Sequence, residues 1–314
     1  MTPRTAPGNA PSVPHHRSDH VPDHLSDHRP DQQPRRHRLL LSASLTALAA
    51  GMAAVSLLGP VGAGLLRHRT SSTTLHQLVG ADAATLAVVV PLTLVAAVLA
   101  ARAHRAAPVL ACGVAVFALY TYAQVVVGQE YLRLPGNVEL FFPLLLAVFV
   151  LGEAVLVLAV RQLPAGAPGT SRRLERTAGV VLLLVAAFLV AGLHLPSMLT
   201  AWRDPAALTE YASSPTPFWL VKLMDLGIVV PAAVAIGVGL LRQAEAARRA
   251  APVLLTGYTC LGASVAAMGL VMVATGDPDA SVGLSAGFGV FAAVLAVLTA
   301  LLYRPLLAAG PAAG

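Results

Sequence analysis

The sequence predicts an all-α integral membrane protein with eight transmembrane helices, arranged as two parallel four-helix repeats with both termini in the cytoplasm. Composition is the first observation behind this fold class. Of 314 residues, 56% are hydrophobic and only 11% are charged, and the mean hydropathy is +0.73. Soluble domains are closer to about 25% charged. The second and third observations are a one-sided distribution of basic residues and an internal duplication, and both are developed below.

Residues 1–38 precede the first apolar block and are rich in Pro, His, Asp and Arg. Such a segment cannot bury enough apolar surface to fold, so we expect a disordered tail. Its repeating "SDHVPDHLSDH" combines imidazole with carboxylate, which suits Zn²⁺ and similar ions. Low-complexity drift or a mis-called translation start is the simpler interpretation. The weak candidate metal ligands in the tail are His20, His24, His28, Asp23 and Asp27.

Eight apolar blocks follow, and each is long enough to cross about 30 Å of hydrocarbon at about 1.5 Å per residue. The first block is preceded by "PRRHR" and followed by "VGA", which also resembles a cleavable signal. Its long preceding tail and long apolar core favour a retained span. We place the blocks at 39–60, 83–101, 107–127, 139–160, 178–196, 218–241, 251–274 and 281–303.

Basic residues fall mainly on one side of the predicted spans. Most of the 21 Lys and Arg residues lie in the tail, in the even-numbered connections or at the C-terminal end. The positive-inside rule therefore places both termini in the cytoplasm of a bacterial-type plasma membrane. This face would contact anionic lipid headgroups, and the basic charge needs no nucleic-acid partner. The opposite side has only Arg67, Arg69, Arg133 and Arg203.

An internal duplication relates the two halves of the chain. "RAAPVL" occurs at 105–110 and again at 249–254. Upstream, "LAVVVPLTLVAAVLA" resembles "LGIVVPAAVAIGVGL", which aligns Pro91 with Pro231. Matches in one order at one near-constant offset indicate a repeat. Because the repeat contains an even number of spans, both copies have the same orientation, as in parallel-repeat transporters. The matched prolines mark either a hinge or a packing feature.

The repeat defines the domain organisation that we expect. The four-helix units are joined by a basic cytoplasmic linker, and a short tail follows the second unit. The predicted segments are 1–38 for the tail, 39–161 and 178–304 for the repeats, 162–177 for the linker and 305–314 for the C-terminal tail.

Charged side chains inside the spans are the candidate functional residues, because they are costly in lipid. Lys222 and Asp225 are three residues apart, so they share one helical face. They form either a local ion pair or one wall of an outward-facing polar pocket. Other polar residues predicted at a similar depth or in the neighbouring outer loop are Tyr120, Tyr122, Gln124, His194, Glu130 and Arg133.

Glu153 is a lone carboxylate in an otherwise apolar span. At that depth a carboxylate must be protonated or hydrogen-bonded. Thr256 and Tyr258 lie at comparable depth and are candidate partners. Glu153 is therefore either a proton-coupling group or a neutral packing residue.

The function is predicted only by class. Histidines suited to axial haem ligation are absent at depth, as are Walker A, HExxH and GxSxG motifs, so no cofactor is expected and a non-enzymatic role is favoured. The best interpretation is a permease for a small solute or lipid. The alternatives are a non-catalytic membrane subunit, such as a sensor, an assembly partner or a homo-oligomer, and a membrane-embedded enzyme acting on a lipid-borne substrate.

Overall fold

The computed structural model describes residues 32–167 and 169–308, and this part of the chain contains eight long apolar helices and no strand. All eight are long and apolar enough to span a membrane, which confirms the predicted all-α class and the predicted number of such helices in the described part of the chain. The candidate metal ligands of the tail lie outside the described residues. The helices are α1 Gln32–Leu58, α2 Ser72–Ala101, α3 Ala106–Val127, α4 Val138–Val160, α5 Arg172–Arg203, α6 Pro215–Leu241, α7 Glu245–Ala274 and α8 Val282–Ala308.

Several helices are longer than their apolar blocks. Helix α2 begins at Ser72 because the hydroxyl oxygen of Ser71 accepts a hydrogen bond from the Thr74 N–H at 3.3 Å. Helix α5 begins in the same way after Ser171, inside the predicted linker. Helix α8 continues into the predicted C-terminal tail. Hydropathy does not detect the starts of α2 and α5 because N-cap residues are polar.

Three helices contain a wide π-helical segment shortly before a proline. These segments are Thr85–Val89 in α2, Phe188–His194 in α5 and Asp225–Val229 in α6. Proline lacks an N–H donor and its ring clashes with the preceding turn. A widened turn leaves room for the ring, and such π-bulges are frequent at functional sites. The following prolines are Pro91, Pro196 and Pro231.

Two apolar cores divide the bundle. The first is formed mainly by α1–α4 and includes Leu45, Met52 and Phe117, and the second is formed by α5–α8 and includes Leu182 and Leu255. Helices α2 and α3 pack against α7 and join the two halves.

Glycine allows α2 to approach α7 closely. A Cβ atom added at Gly80 would lie 2.5 Å from the backbone of Met268 and from the carbonyl oxygen of Ala267. Small residues permit such backbone approach in helical membrane proteins. The junction between the halves therefore depends on the absence of a side chain at this position.

The connections 59–71, 128–137, 204–214 and 275–281 meet at one end of the bundle, called the distal end below. The Asn137 N–H donates to Arg67 O at 2.9 Å, and the Thr73 hydroxyl donates to Asp277 at 3.2 Å. Buried Glu130 accepts a hydrogen bond from the Thr216 N–H at 2.7 Å. Glu130 thus satisfies a free donor in the first turn of α6, where a negative charge is favourable.

The opposite end contains the remaining connections. There the buried carboxylate of Glu175 pairs with Arg248 at 2.8 Å. The Arg249 guanidinium donates to Pro164 O at 3.3 Å. These contacts fix the start of α7 against the connection between the two halves.

Replacing Gly80 by Ala should destabilise the bundle by about 1–3 kcal/mol, because the added methyl overpacks the α2–α7 contact. Thermal unfolding of the purified protein measures this effect. Gly287→Ala on α8 is the matched control, because its Cβ would meet nothing within 4 Å. Equal melting temperatures for the two variants would contradict the close α2–α7 junction.

Candidate functional site

A cavity of about 460 Å³ lies between the two halves, toward the distal end. Helices α2, α3, α5, α6, α7 and α8 all contribute to its wall. Its volume falls within the range of about 300–1,000 Å³ that is common for small-molecule sites. Most of the wall is apolar, and the polar side chains on it come from different helices. Representative apolar wall residues are Leu189, Val265, Met268, Phe288 and Phe291.

Asp225 on the cavity wall is hydrogen-bonded to side chains of two other helices. Its Oδ2 lies 2.8 Å from His194 Nε2, and its Oδ1 accepts a hydrogen bond from the Tyr120 hydroxyl. Tyr120 is on α3, in the first half, whereas His194 is on α5, in the second. Both carboxylate oxygens are therefore occupied, and one side chain on α6 joins three helices across the boundary between the halves.

The π-helical segment of α6 begins at Asp225 and is held by a contact with α7. Buried Tyr258 donates its hydroxyl hydrogen to the carbonyl oxygen of Val229, at the end of that segment. Tyr258 also lines the cavity. Tyr258 on the cavity wall thus stabilises the π-helical segment of α6 that begins at Asp225.

Lys222 does not pair with Asp225, so the predicted local ion pair is wrong. Its ammonium nitrogen instead lies 3.2 Å from the centroid of the Phe218 ring, a cation–π contact. Lys222 is only 6% exposed, lines the cavity and forms no ion pair or hydrogen bond in the described part of the chain. The oxygens of Asp225 bind Tyr120 and His194 instead.

Among the described residues, three further polar atoms of the cavity wall are buried without a hydrogen bond: Thr70 Oγ1, at the distal end, and two atoms deeper in the wall. The deeper two are Gln124 Nε2 on α3 and Ser264 Oγ on α7. Buried polar groups normally have a hydrogen-bond partner, so each exception needs an explanation. Gln124 was predicted at this depth from the sequence. Ser264 was missed, because a lone serine in an apolar span is common and carries no signal of its own.

The remaining predicted site residues lie outside the cavity wall. Tyr122 packs in the core of α1–α4. Glu130 and Arg133 lie in the distal connection, 3.5 Å apart, where Glu130 caps α6. Tyr122 shows that depth along a helix does not determine which way a side chain faces.

Glu153 lies on the exposed outer surface of α4, and its candidate partners bind elsewhere. The Thr256 hydroxyl is 2.9 Å from the Tyr303 hydroxyl, and Tyr258 binds Val229. The expectation that Thr256 or Tyr258 satisfies Glu153 is therefore wrong. A different embedded carboxylate is satisfied internally: Asp82 of α2 accepts a hydrogen bond from Ser56 at 2.8 Å.

A polar cluster borders the distal end of the cavity. His76 Nδ1 lies 2.7 Å from Asp277 Oδ2, and the Thr73 hydroxyl bridges Asp277 and Asp279. Burial alone would raise the pKa of Asp277, but hydrogen bonds from His76, the Asp279 N–H and Thr73 hold that pKa below its usual range. The ionised carboxylate thus ties the start of α2 to the connection before α8. In the described part of the chain, no three His, Cys, Asp or Glu residues are placed to hold a metal ion.

Comparisons with known proteins give no family for this chain. No protein-family model matches it, and neither a curated protein nor a solved structure shows significant similarity to it. The geometry of the cavity is therefore the basis for any functional conclusion.

Tyr120→Phe should destabilise the protein by about 1.5–3 kcal/mol, the usual range for a hydrogen bond to a charged group. The loss would lower the melting temperature of the purified protein. Tyr211→Phe removes a hydroxyl that forms no hydrogen bond in the structure, so it serves as the control. A melting temperature for Tyr120→Phe as high as that of the control would contradict a structural role for the Asp225 contacts.

Proposed function

We propose that this chain is a plasma-membrane permease of the bacterial type, which binds a small amphipathic solute in the cavity between its two halves. The observation that carries the proposal is the cavity itself, enclosed by six helices drawn from both halves. A purely structural subunit should have a filled core at this position. The polar groups on the wall provide a way to recognise a solute.

Corresponding local structures support a relation between the two halves. The π-helical segments Thr85–Val89 and Asp225–Val229 hold the same position before their matched prolines. The turns that follow also correspond, since Ala103 and Gln243 both have positive φ, 56° and 58°. Under the proposal, the halves are parallel repeats related by a pseudo-two-fold axis along the membrane normal.

The proposed orientation places the distal end outside and both termini in the cytoplasm. Arg172, Arg173 and Arg176 are exposed at the opposite end, near the start of α5. Exposed basic residues beside a span suit the anionic lipid headgroups of the cytoplasmic leaflet. The cavity then opens toward the outside, in agreement with the outward-facing pocket predicted from the sequence.

Movement of the halves is proposed to depend on Asp225. Its partners are Tyr120 on α3 and His194 on α5, so protonation would weaken a link between the halves. Lys222 on its own helix and Tyr258 on α7 are the other titratable groups near it. The π-helical segments provide places where α2 and α6 can change their bend at low cost.

A membrane-embedded enzyme is the second candidate function. The observation in its favour is the hydrogen-bonded pair of His194 and Asp225 on the wall of the cavity. A carboxylate that orients an imidazole is a common acid–base device. An enzyme needs access from only one side, whereas a permease must open to both.

Access from both sides tests the permease. A single cysteine at Val221 on the cavity wall, in a Cys112→Ala and Cys260→Ala background, should react with a membrane-impermeant thiosulfonate in vesicles of either orientation. Val150→Cys on the outer surface of α4 is the control, because lipid should protect it from the reagent. Reaction of Val221→Cys from only one face would reject the permease and favour the enzyme.

Under the proposal, labelling of Val221→Cys from the cytoplasmic face depends on pH, because protonation of Asp225 weakens the link between the halves. Asp225→Asn should abolish this pH dependence, because an amide does not take up a proton in the same way as a carboxylate. The labelling rate from the outer face at each pH corrects for ionisation of the thiol. Glu153→Gln, on the outer surface, should keep the wild-type pH dependence. If Glu153→Gln alone abolishes it, Glu153 and not Asp225 is the coupling group.

A further inference from the structure

We infer that the cavity binds an amphipathic anion, with a carboxylate or phosphate-ester head and an apolar body. This inference rests on the proposed function only in that a solute occupies the cavity. It names the class of that solute from the groups on the wall that have no partner.

Lys222 provides the charge for the anion. A buried ammonium without a counterion is costly, and the Phe218 ring offsets only part of that cost. The nearest carboxylate along the chain, Asp225, binds Tyr120 and His194 and does not contact Lys222. An acidic group from a solute would complete the environment of Lys222.

The other unsatisfied groups on the wall also favour an acceptor. Gln124 Nε2 is an amide donor, and Ser264 carries a hydroxyl that can donate. Both atoms are buried on the same wall as Lys222, and neither forms a hydrogen bond in the described part of the chain, although the Gln124 side chain interacts with the nearby Tyr120 hydroxyl. Ser264 is only 3% exposed. A carboxylate or phosphate accepts several hydrogen bonds at once, so a head group at Lys222 can use any of these donors that it reaches.

The acidic residues of the wall do not favour a cation. Glu210 and Asp225 both attract Lys222, but neither forms an ion pair with it in the described part of the chain. Glu210 is exposed in the distal connection, where water screens its charge. Asp279 accepts a hydrogen bond from Thr73 at 3.3 Å at the same end. The carboxylates of the cavity are therefore either already hydrogen-bonded or open to water, whereas its cation is buried and unpaired.

The rest of the wall selects the body of the solute. Helices α5, α7 and α8 present mainly aliphatic and aromatic side chains to the cavity, which suit an alkyl or aromatic group. A fully polar anion such as inorganic phosphate would leave this surface without a partner. The inference is therefore restricted to anions that carry an apolar group.

Binding of four matched probes tests this class. The protein in phosphatidylcholine nanodiscs is titrated calorimetrically with hexanoate, hexyl phosphate, hexanol and hexyltrimethylammonium, and empty nanodiscs correct for partitioning. We expect at least one anion to bind about tenfold or more tightly than the neutral and cationic probes. Preference for hexanoate identifies an organic acid as the solute, and preference for hexyl phosphate identifies a phosphate ester.

Variants of the donors complete the test. Lys222→Met should weaken anion binding about tenfold and leave hexanol binding unchanged, which also shows that the cavity is intact. Lys222→Arg should keep the preference for anions. Gln124→Leu retains the charge and should weaken anion binding by a smaller factor.

The inference is overturned if hexanol or hexyltrimethylammonium binds as tightly as both anions, if Lys222→Met keeps wild-type anion affinity, or if no probe binds saturably. If the probes show no preference for anions but Val221→Cys is labelled from both faces, the anion proposal is rejected and the permease proposal stands. If anions bind preferentially but Val221→Cys is labelled from one face only, the permease proposal is rejected and the anion-binding site stands.

Discussion

The two hydrogen bonds that Asp225 accepts determine much of the arrangement around the cavity. A carboxylate in apolar surroundings is costly unless its oxygens are satisfied, and here the partners come from α3 and α5. Tyr120 and His194 therefore hold helices of both halves against α6. Asp225 binds these two side chains, whereas Lys222, three residues earlier, lies against the Phe218 ring and forms no ion pair in the described part of the chain. The same contacts thus hold the halves together and leave a cation available in the cavity.

Local backbone structure links the sequence of α6 to this site. Pro231 removes a donor and prevents a regular helix, and the widened turn before it begins at Asp225. Tyr258 on α7 binds the carbonyl at the end of that turn. In a membrane, neighbouring helices must supply the bonds that a proline removes. The turn and its supports therefore bring a carboxylate, a tyrosine and a backbone carbonyl to one region of the bundle.

The sequence predicts the spans well because each needs a long apolar block. It also predicts several residues of the cavity wall from their depth along the helices. Counting residues from the helix ends places Asp225 and Gln124 at a similar depth, with Lys222 and His194 nearer the outer end, and all four line the cavity. Depth does not give rotation about the helix axis, so Tyr122, assigned to the same level, faces the first core instead. Nor does hydropathy detect polar caps, which is why α2 and α5 begin earlier than their apolar blocks.

Differences between the halves explain why the cavity forms on one side of the junction. If "RAAPVL" at 105–110 is aligned with its copy at 249–254, Tyr120 corresponds to Ser264 and Tyr122 to Ala266. Helix α3 therefore carries two large side chains where α7 carries two small ones. Tyr122 fills the core of α1–α4 and Tyr120 reaches Asp225, whereas Ser264 leaves an unpartnered hydroxyl on the cavity wall. Under the proposed duplication, the smaller side chain at Ser264 makes room on the α7 side of the cavity.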